Sequence, residues 1–443
     1  MNAEVRQMKT AAETELAEAF AAAKTHLPGL RELRESAFDL FDTKGLPNRR
    51  VEDWKYTDLR ALMRDAKPLV EPVARLNGAS AAPAARVAEA GGLIGDVDCR
   101  RLVFVDGLFA PAFSDLTPEA GLYIGSLAAA LADGDALVTR HVGQVFKTDD
   151  VAVALNTALM RDGAVIRVEP GAALKRPIHL VFAHSGARPA SIFTRSLVTV
   201  GAGARAMIVE SHDGAAEDQL SAGLDMIVGD GAHVDHVKLA AGAPGALHVS
   251  SLMASIGAKA RFNHFSFIAG GQVLRNQLFL SFDGEDTVAN IGGVSMLKGR
   301  QHADTTLVIA HRKRGCQSRE LFKSVLDGES RGIFQGRIAV EAEAQKTDAR
   351  MAAHALLLSD MAEVDLKPEL EIFADDVQCG HGATAGALDD DLLFYLKARG
   401  IPAKEAEALM VKAFVGEAIE TVEHAGLRES LLNAADLWLA QRR

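Results

Sequence analysis

The tripeptide Cys379-Gly380-His381 separates a thiol and an imidazole by a single glycine, and both side chains are common metal ligands. In an extended segment, residues i and i+2 lie on the same face, so the two groups would point toward one ligand. Thiol and imidazole are soft or borderline donors that suit iron, copper or zinc. Two donors do not complete a metal site, so a buried cysteine beside a capping histidine at a domain junction remains an alternative interpretation.

Other histidines form patterns that we interpret as structural. His236 and His264 occupy the same position in two repeats of the sequence, where a ladder of like side chains is common, and no acidic or cysteine partner lies in phase with them. A second set is close together along the chain, but its spacing matches no familiar site: His302, Asp304, His311 and Cys316. The chain contains no G-x-x-x-x-G-K-[ST] motif, so we do not expect it to be a P-loop ATPase.

The composition describes a folded protein and argues against two classes of partner. A chain of 443 residues exceeds one ordinary compact core, so we expect two or three domains, or one elongated repeat domain with attachments. The net charge of −11 argues against a nucleic-acid partner. No apolar run is long enough to cross a membrane, and the N-terminus lacks an apolar signal core. The three cysteines fit a reducing compartment, so we expect a cytoplasmic protein.

From about residue 165, short β-type runs recur, and each is interrupted by a glycine beside a small or acidic residue. The leading glycines are 27 to 30 residues apart: Gly171, Gly201, Gly229, Gly257 and Gly284. A fixed period of this size is typical of solenoids. Helical periodicity is absent from about 165 to 375. We therefore predict a parallel β-helix of seven or eight turns, with coils of about 28 residues.

The alternation of apolar residues inside one repeat changes phase. Ala232 and Val234 alternate, the phase slips, and Val237 and Leu239 resume the pattern. The same slip occurs 28 residues later. Because strict alternation means that one strand face is buried, we interpret the slip as a corner of the coil.

Helical patterns flank the β-rich region. The apolar spacings before residue 41 are three and four, as in helices, and the Ala-, Pro- and Gly-rich stretch 77–95 is the best linker candidate. After the β-rich region, an aspartate N-cap opens a short helix at 389–391, and an amphipathic run follows Pro402. These patterns predict four parts: an N-terminal helical domain over 1–95, a mixed connecting region over 96–164, the β-helix over 165–385 and a C-terminal helical domain over 386–443.

Three segments resemble the SufD family, one branch of the SufB/SufD proteins of iron–sulfur cluster assembly. The C-terminal segment 344–402, with "DDVQCGHGATAGALDDDLLFYLKARGIP", resembles the signature of that family. "RRVEDWKYTDLR" at 49–60 is similar to its N-terminal element, and "HADTTLVIAHRKRGCQSRELFKSVLDGESRGIFQGRI" at 302–338 to its core. The resemblance spans most of the chain.

The resemblance implies a fold and a set of partners. SufD-like proteins are mainly β, with a right-handed parallel β-helix flanked by N-terminal and C-terminal helical regions. They are non-catalytic scaffold subunits that pair with SufB through the β-helices and bind the SufC ATPase through the C-terminal helical region. Here that region is 386–424, and Leu409, Met410 and Phe414 are the expected docking residues.

The same resemblance implies a role for the opening tripeptide. His381 would hold iron or the nascent cluster at the interface with SufB, beside a SufB cysteine, and Cys379 is a weaker candidate for that role. The isolated chain would carry no tightly bound cofactor, and iron or an iron–sulfur cluster would be bound only transiently. When isolated, the chain could also form a homodimer.

Several alternatives remain at this point. A SufB-like, cluster-carrying subunit would be expected to have a cysteine in the strand before the final motif. Residues 358–377 contain none, and the chain reads "HGAT" where SufB-like sequences tend to read "HEAT". A β-helix carbohydrate-active enzyme would be expected to show a carboxylate-rich groove, and a purely structural scaffold would have no metal chemistry of its own.

Overall fold

The structure is a computed structural model that describes residues 8–70, 87, 89–186, 188–213, 217–243 and 245–442. Most of the predicted linker over 77–95 lies outside these residues. Within the described part of the chain, no helix combines the length and the apolar character needed to cross a bilayer.

Nine α-helices lie before and after the β-rich region and inside its N-terminal part among the described residues. They are α1 (Ala11–Ala23), α2 (Arg31–Lys44), α3 (Leu59–Leu62), α4 (Leu127–Ala132), α5 (Ala136–His141), α6 (Val151–Leu159), α7 (Asp390–Ala398), α8 (Ala403–Ile419) and α9 (Ala425–Ala440). Asp389 caps α7 by accepting a hydrogen bond from the Leu392 amide at 2.9 Å, as the aspartate run predicts.

The strands follow each other at nearly regular intervals. They are β1 (Arg100–Val105), β2 (Leu108–Phe109), β3 (Leu122–Ser126), β4 (Ala164–Val168), β5 (Ile178–Ala183), β6 (Ser191–Val200), β7 (Arg205–His212), β8 (Gln219–Val228), β9 (His233–Ala240), β10 (Leu247–Ile256), β11 (Arg261–Ile268), β12 (Val273–Phe282), β13 (Val288–Leu297), β14 (His302–His311), β15 (Gln317–Leu326), β16 (Arg331–Val340), β17 (Asp348–Leu357), β18 (Glu363–Ile372) and β19 (Gln378–Gly386).

Alternate strands build two sheets that face each other. Sheet one has the order β19-β17-β15-β13-β11-β9-β7-β5-β1-β2, and sheet two the order β18-β16-β14-β12-β10-β8-β6-β4-β3. All pairings from β4 and β5 onward are parallel, and each coil lies on the one before. The inner faces of both sheets form one continuous apolar core. The predicted mainly β chain with a parallel β-helix of about seven turns between helical regions is confirmed.

The periodic glycines form a column at one corner. The amide of Gly229 donates to the carbonyl of Val200, and that of Gly257 to the carbonyl of Val228, each at 2.8 Å. A Cβ on Gly257 would lie only 3.0 Å from the Gly229 carbonyl carbon, so the stacked coils leave no room for a side chain. The predicted stacking of these two glycines is confirmed. Gly171, with φ of +72°, occupies the following turn position and lies outside the column.

The predicted corner inside each repeat is wrong. Strand β9 runs without a break, and its phase slip marks a change in which face is apolar. Val234 faces the core of the β-helix, whereas Val237 and Leu239 face outward and pack beneath α8 and α9. Because both faces of such a strand are buried, its apolar pattern departs from simple alternation.

Trp54 packs the segment between α2 and α3 against the outer face of sheet two. This side chain is 1% exposed, and its indole Nε1 donates to Asp150 at 2.8 Å. Its ring stacks on the Arg275 guanidinium at 3.9 Å, and Arg275 in turn pairs with Asp304. The "EDWKYT" motif therefore connects the N-terminal helices to the β-helix.

We predict that Trp54→Ala lowers the free energy of unfolding by about 3–5 kcal/mol, because it empties a buried site and uncovers a buried ion pair. The urea midpoint measures this effect. Phe113→Ala is the control, since Phe113 is 38% exposed and should cost much less. Equal midpoints for the two variants would contradict the anchoring role of Trp54.

Candidate functional site

The β-helix is open at its C-terminal end. Strands β18 and β19 are the last of their sheets, and each has a strand neighbour on one side only among the described residues. Most residues of β19 are exposed, whereas half of the residues of its neighbour β17 are buried. The backbone groups along these edges are therefore available to a further strand.

Cys379 and His381 both point into the mouth of the β-helix. In the register of β17 and β19, Cys379 lies opposite Ala349 and His381 opposite Met351. Ala349 and Met351 belong to the inner core, and Cys379 packs against that core. The structure thus brings thiol and imidazole together on one face of an extended strand. A cavity of about 380 Å³ opens there, lined by Arg350, Met351, Gln378, Cys379, Gly380 and His381.

The two side chains differ in their surroundings. Cys379 is half-buried, and this burial raises the pKa of its thiol, so the thiol is protonated at neutral pH. His381 is exposed, and no described residue donates to its ring or accepts from it. The neighbouring glycines 380 and 382 face outward, where an added Cβ would meet nothing within 4 Å. The imidazole is thus free to bind a ligand that arrives from outside the chain.

These two donors do not form a complete metal site by themselves. In the described part of the chain, a single group of three His, Cys, Asp or Glu side chains has its ligand atoms within 4.8 Å of one another: His233, Asp235 and Glu423. Arg261 donates to Glu423 at 2.6 Å, so this group is an ion-pair cluster that ties the turn before α9 to β9 and β11. A metal bound at His381 would need further ligands from other parts of the chain or from a partner.

His236 and His264 form the stacked pair expected for a structural ladder. Their Nδ1 atoms are 2.9 Å apart, and His236 Nε2 donates to Glu210 at 2.8 Å. One of the two facing Nδ1 atoms donates a hydrogen bond to the other. Burial lowers the pKa of His264 well below its ordinary value, so this ring is neutral.

The residues at 302–316 do not form one site. His302 and Asp304 face outward and contact the Thr57 hydroxyl, with His302 Nε2 at 2.9 Å from it. His311 and Cys316 lie at the opposite, inward side, where His311 Nε2 is 3.1 Å from the Ser318 hydroxyl. Both pairs are explained by packing of the coils and of the N-terminal segment.

The three residues expected to dock an ATPase line an apolar groove between α7 and α8. The groove encloses about 380 Å³ and is lined by Leu356, Ala387, Leu388, Asp389, Leu392, Leu396, Leu409, Met410, Ala413 and Phe414. Leu409 is 44% exposed, and Phe394 and Tyr395 on α7 are 71% and 52% exposed. Large apolar side chains this exposed are typical of a surface that binds another protein.

Helix α8 is apolar on a second face, which the sequence analysis did not separate from the first. Val411, Val415 and Ile419 are fully buried against the outer face of sheet one. Near the groove, the Lys323 ammonium lies 4.4 Å from the centre of the Phe414 ring and pairs with Glu417. The buried face packs the helix against sheet one, and the groove face is the more exposed of the two.

Glu320 is a residue that the sequence analysis missed. It lies in β15 and points inward, with only 2% of its surface exposed. Neither carboxyl oxygen makes a hydrogen bond of ordinary geometry among the described residues, although the nearby Ser318 hydroxyl acts to lower its pKa. Burial raises its pKa to about 8. The sequence signal is weak. Glu320 and Phe322 lie on the same face of the strand, but this is apparent only once the register of β15 is known.

Comparison with known proteins gives consistent matches along the chain. A model of the SufBD protein N-terminal region matches residues 16–180, and a model of the SufBD core domain of SUF system iron–sulfur cluster assembly matches residues 182–414. The chain is 33% identical to the iron–sulfur cluster assembly protein SufD of Escherichia coli over 88% of both chains. It is 25% identical to SufD of Bacillus subtilis over 67% of this chain and 70% of that protein. A SufBD family protein of Synechocystis is 29% identical over 90% of this chain and 88% of its own length.

Proposed function

Because this chain belongs to the SufBD family of iron–sulfur cluster assembly proteins, we propose that it is a SufD-like scaffold subunit that pairs with a SufB-like subunit. The observation that carries this proposal is the open end of the β-helix. Its two terminal strands, β18 and β19, can accept strands from a partner, and Cys379 and His381 lie on β19 at the cavity in the mouth. Joining the two subunits there would cover the mouth and bring partner ligands to it.

His381 is the proposed ligand of iron or of the nascent cluster, which is cargo rather than a resident cofactor. A neutral imidazole coordinates iron through one ring nitrogen, while a neighbouring acceptor orients the other. Cys379 has a secondary role, because its half-buried, protonated thiol binds metal less readily than a thiolate. Thiolate ligands would come mainly from the partner. In this proposal the chain is non-catalytic.

A SufC-like ATPase is the second proposed partner, and the groove between α7 and α8 is its proposed docking surface. The groove face of α8 is free, whereas the opposite face is buried on sheet one. The groove is lined by Leu409, Met410 and Phe414, and methionine and aromatic side chains are enriched in the cores of protein interfaces.

The SufB-like alternative is less well supported. Residues 358–377 contain no cysteine, and two of the similar proteins are named SufD. The carbohydrate-enzyme alternative is set aside, because membership of the SufBD family accounts for the β-helix without it.

The test of this function is cluster loading of the purified complex. We predict that His381→Ala leaves the complex with its SufB-like and SufC-like partners assembled but lowers its iron content and cluster absorbance at least about tenfold, since a ligand is removed. Cys379→Ala should have a milder effect. His354→Ala is the matched control, because His354 faces outward on the next strand and contacts Thr384 at 2.7 Å. Normal loading of an intact His381→Ala complex would refute the proposal.

A further inference from the structure

Met351 lines the same cavity in the mouth of the β-helix as Cys379 and His381. It lies on β17, directly opposite His381 in the strand register, and belongs to the inner core. Only 2% of its surface is exposed, whereas Cys379 is half-buried and His381 is exposed. The three side chains therefore run from the floor of the cavity to its rim, and each carries a sulfur or nitrogen atom that can bind a metal.

A glycine on the opposite sheet makes room for the thioether of Met351. A Cβ on Gly336 of β16 would collide with the Met351 sulfur, so this side chain reaches across the interior beneath the mouth. Methionine is unbranched and has a flexible side chain, so its sulfur can follow a metal inside the cavity that the residue already lines. The proposed function gives this sulfur no role.

The donors and charges around the cavity favour a soft, monovalent metal ion. Two sulfur atoms and one imidazole nitrogen form a soft donor set, and no carboxylate is among the described residues that line the cavity. Arg350 also lines it and carries a positive charge, with Asp348 as its ion-pair partner at 3.6 Å. Because electrostatic repulsion grows with the charge of the ion, Arg350 opposes a divalent ion more strongly than a monovalent one.

We propose that the isolated chain binds one copper(I) ion through Met351, Cys379 and His381. Thioether and thiolate sulfur select copper(I), and this ion accepts a low coordination number, so the three ligands of one chain suffice. When copper(I) binds, the S–H bond of Cys379 breaks, a copper–sulfur bond forms and the proton passes to water. The metal stays copper(I) throughout, so the step needs no oxidant or reductant.

The inference goes beyond the proposed function, because it concerns a second metal and a chain without its partner. Iron at the mouth would need further ligands from a partner, whereas copper(I) needs only those of this chain. Bound copper would occupy His381 and Cys379 before a SufB-like subunit covers the mouth, and so would compete with iron. This competition rests on the proposed function, but the copper site itself does not.

The experiment titrates the purified full-length chain with copper(I) under anaerobic conditions, in competition with a coloured copper(I) chelator. We expect one ion per wild-type chain. Met351→Leu keeps an apolar side chain of similar volume but removes the sulfur, and should weaken binding at least about tenfold. Met226→Leu is the matched control, because Met226 is fully buried in the same inner core on β8, several coils below the mouth. This control should bind copper(I) like the wild type.

X-ray absorption at the copper edge counts the sulfur ligands directly. The wild-type ion should show two sulfur ligands, and the ion bound to Met351→Leu only one. Thermal unfolding of each variant separates a loss of binding from a loss of fold. If Met351→Leu does not fold, the wild-type ion decides the matter: two sulfur ligands support the site, and one overturns it.

Three further results would overturn the inference. The first is equal affinity and an equal sulfur count for the wild-type and Met351→Leu chains. The second is no copper(I) binding by the wild-type chain, and the third is unchanged binding by Cys379→Ala, which would place the ion at Cys99 or Cys316. None of these results bears on the proposed function, which is tested separately by cluster loading of the His381→Ala complex.

Discussion

Replacing both Leu409 and Met410 with aspartate should remove the SufC-like ATPase from the purified complex. Both residues lie in the apolar groove between α7 and α8, and two carboxylates there would have to be desolvated against Phe414 and Leu392. Interface anchors commonly contribute 2 kcal/mol or more each, so we expect the affinity to fall by a factor of about 100 or more. Copurification and the dissociation constant measure the effect.

The control for this prediction is Lys404→Asp, which adds a carboxylate to an exposed position of the same helix outside the groove. Retention of the ATPase by the double variant would place the docking surface elsewhere. Deleting residues 386–443 is a poorer test, because α8 and α9 cover Phe265 and Val294 on sheet one. The deletion would expose that apolar face, and loss of the partner could then reflect loss of the fold.

Glu320→Gln should make the metal-free chain more stable at alkaline pH. The pKa of Glu320 is about 8 in the folded chain, against an ordinary value of 4.5. Between these values the folded state keeps a proton that the unfolded state has released. Folded wild-type protein therefore binds more protons, and its stability falls as pH rises from about 4.5 to 8. Glutamine does not ionise, so the Glu320→Gln chain does not lose this stability as the pH rises.

The expected gain for Glu320→Gln is about 3–5 kcal/mol at pH 9 and less than about 1 kcal/mol at pH 5. Urea denaturation at both pH values, with a chelator present, measures it. Glu343→Gln, on the surface, should match the wild type at both. If the stabilities of the wild-type chain and of Glu320→Gln change by the same amount between pH 5 and pH 9, burial does not raise the pKa of Glu320.

The sequence pattern was sufficient to predict the β-helix but not the orientation of every strand face. Glycine spacing predicts the coil length because each coil must pass the same tight corner, where Gly229 and Gly257 stack. The outward apolar residues Val237 and Leu239 were misinterpreted as a corner, since the helices that cover them come from a part of the chain nearly 200 residues away. Local periodicity carries no information about such distant packing.

The candidate site, like the fold, could be predicted from the sequence only in part. The shared face of Cys379 and His381 follows from strand alternation within three residues, so it could be predicted from the sequence. The position of Glu320 below His381 depends on the stacking of three coils and on two strand registers. A single sequence does not specify those registers closely enough to identify a buried acid. The apolar run after Pro402 predicted an amphipathic helix but did not distinguish the buried face of α8 from its groove face.

The open end of the β-helix also has a consequence for the proposed pairing with a SufB-like subunit. In a stack of coils, each coil is stabilised mainly by its two neighbours, as in a one-dimensional chain of coupled units. The coil of β18 and β19 has one such neighbour, helped by the ion pair between Lys367 of β18 and Glu52. A partner that adds its strands there would supply the missing neighbour. In the proposed complex, binding of the partner would complete the stacking of this coil, so the stabilisation of the coil and the covering of the mouth would be one cooperative event.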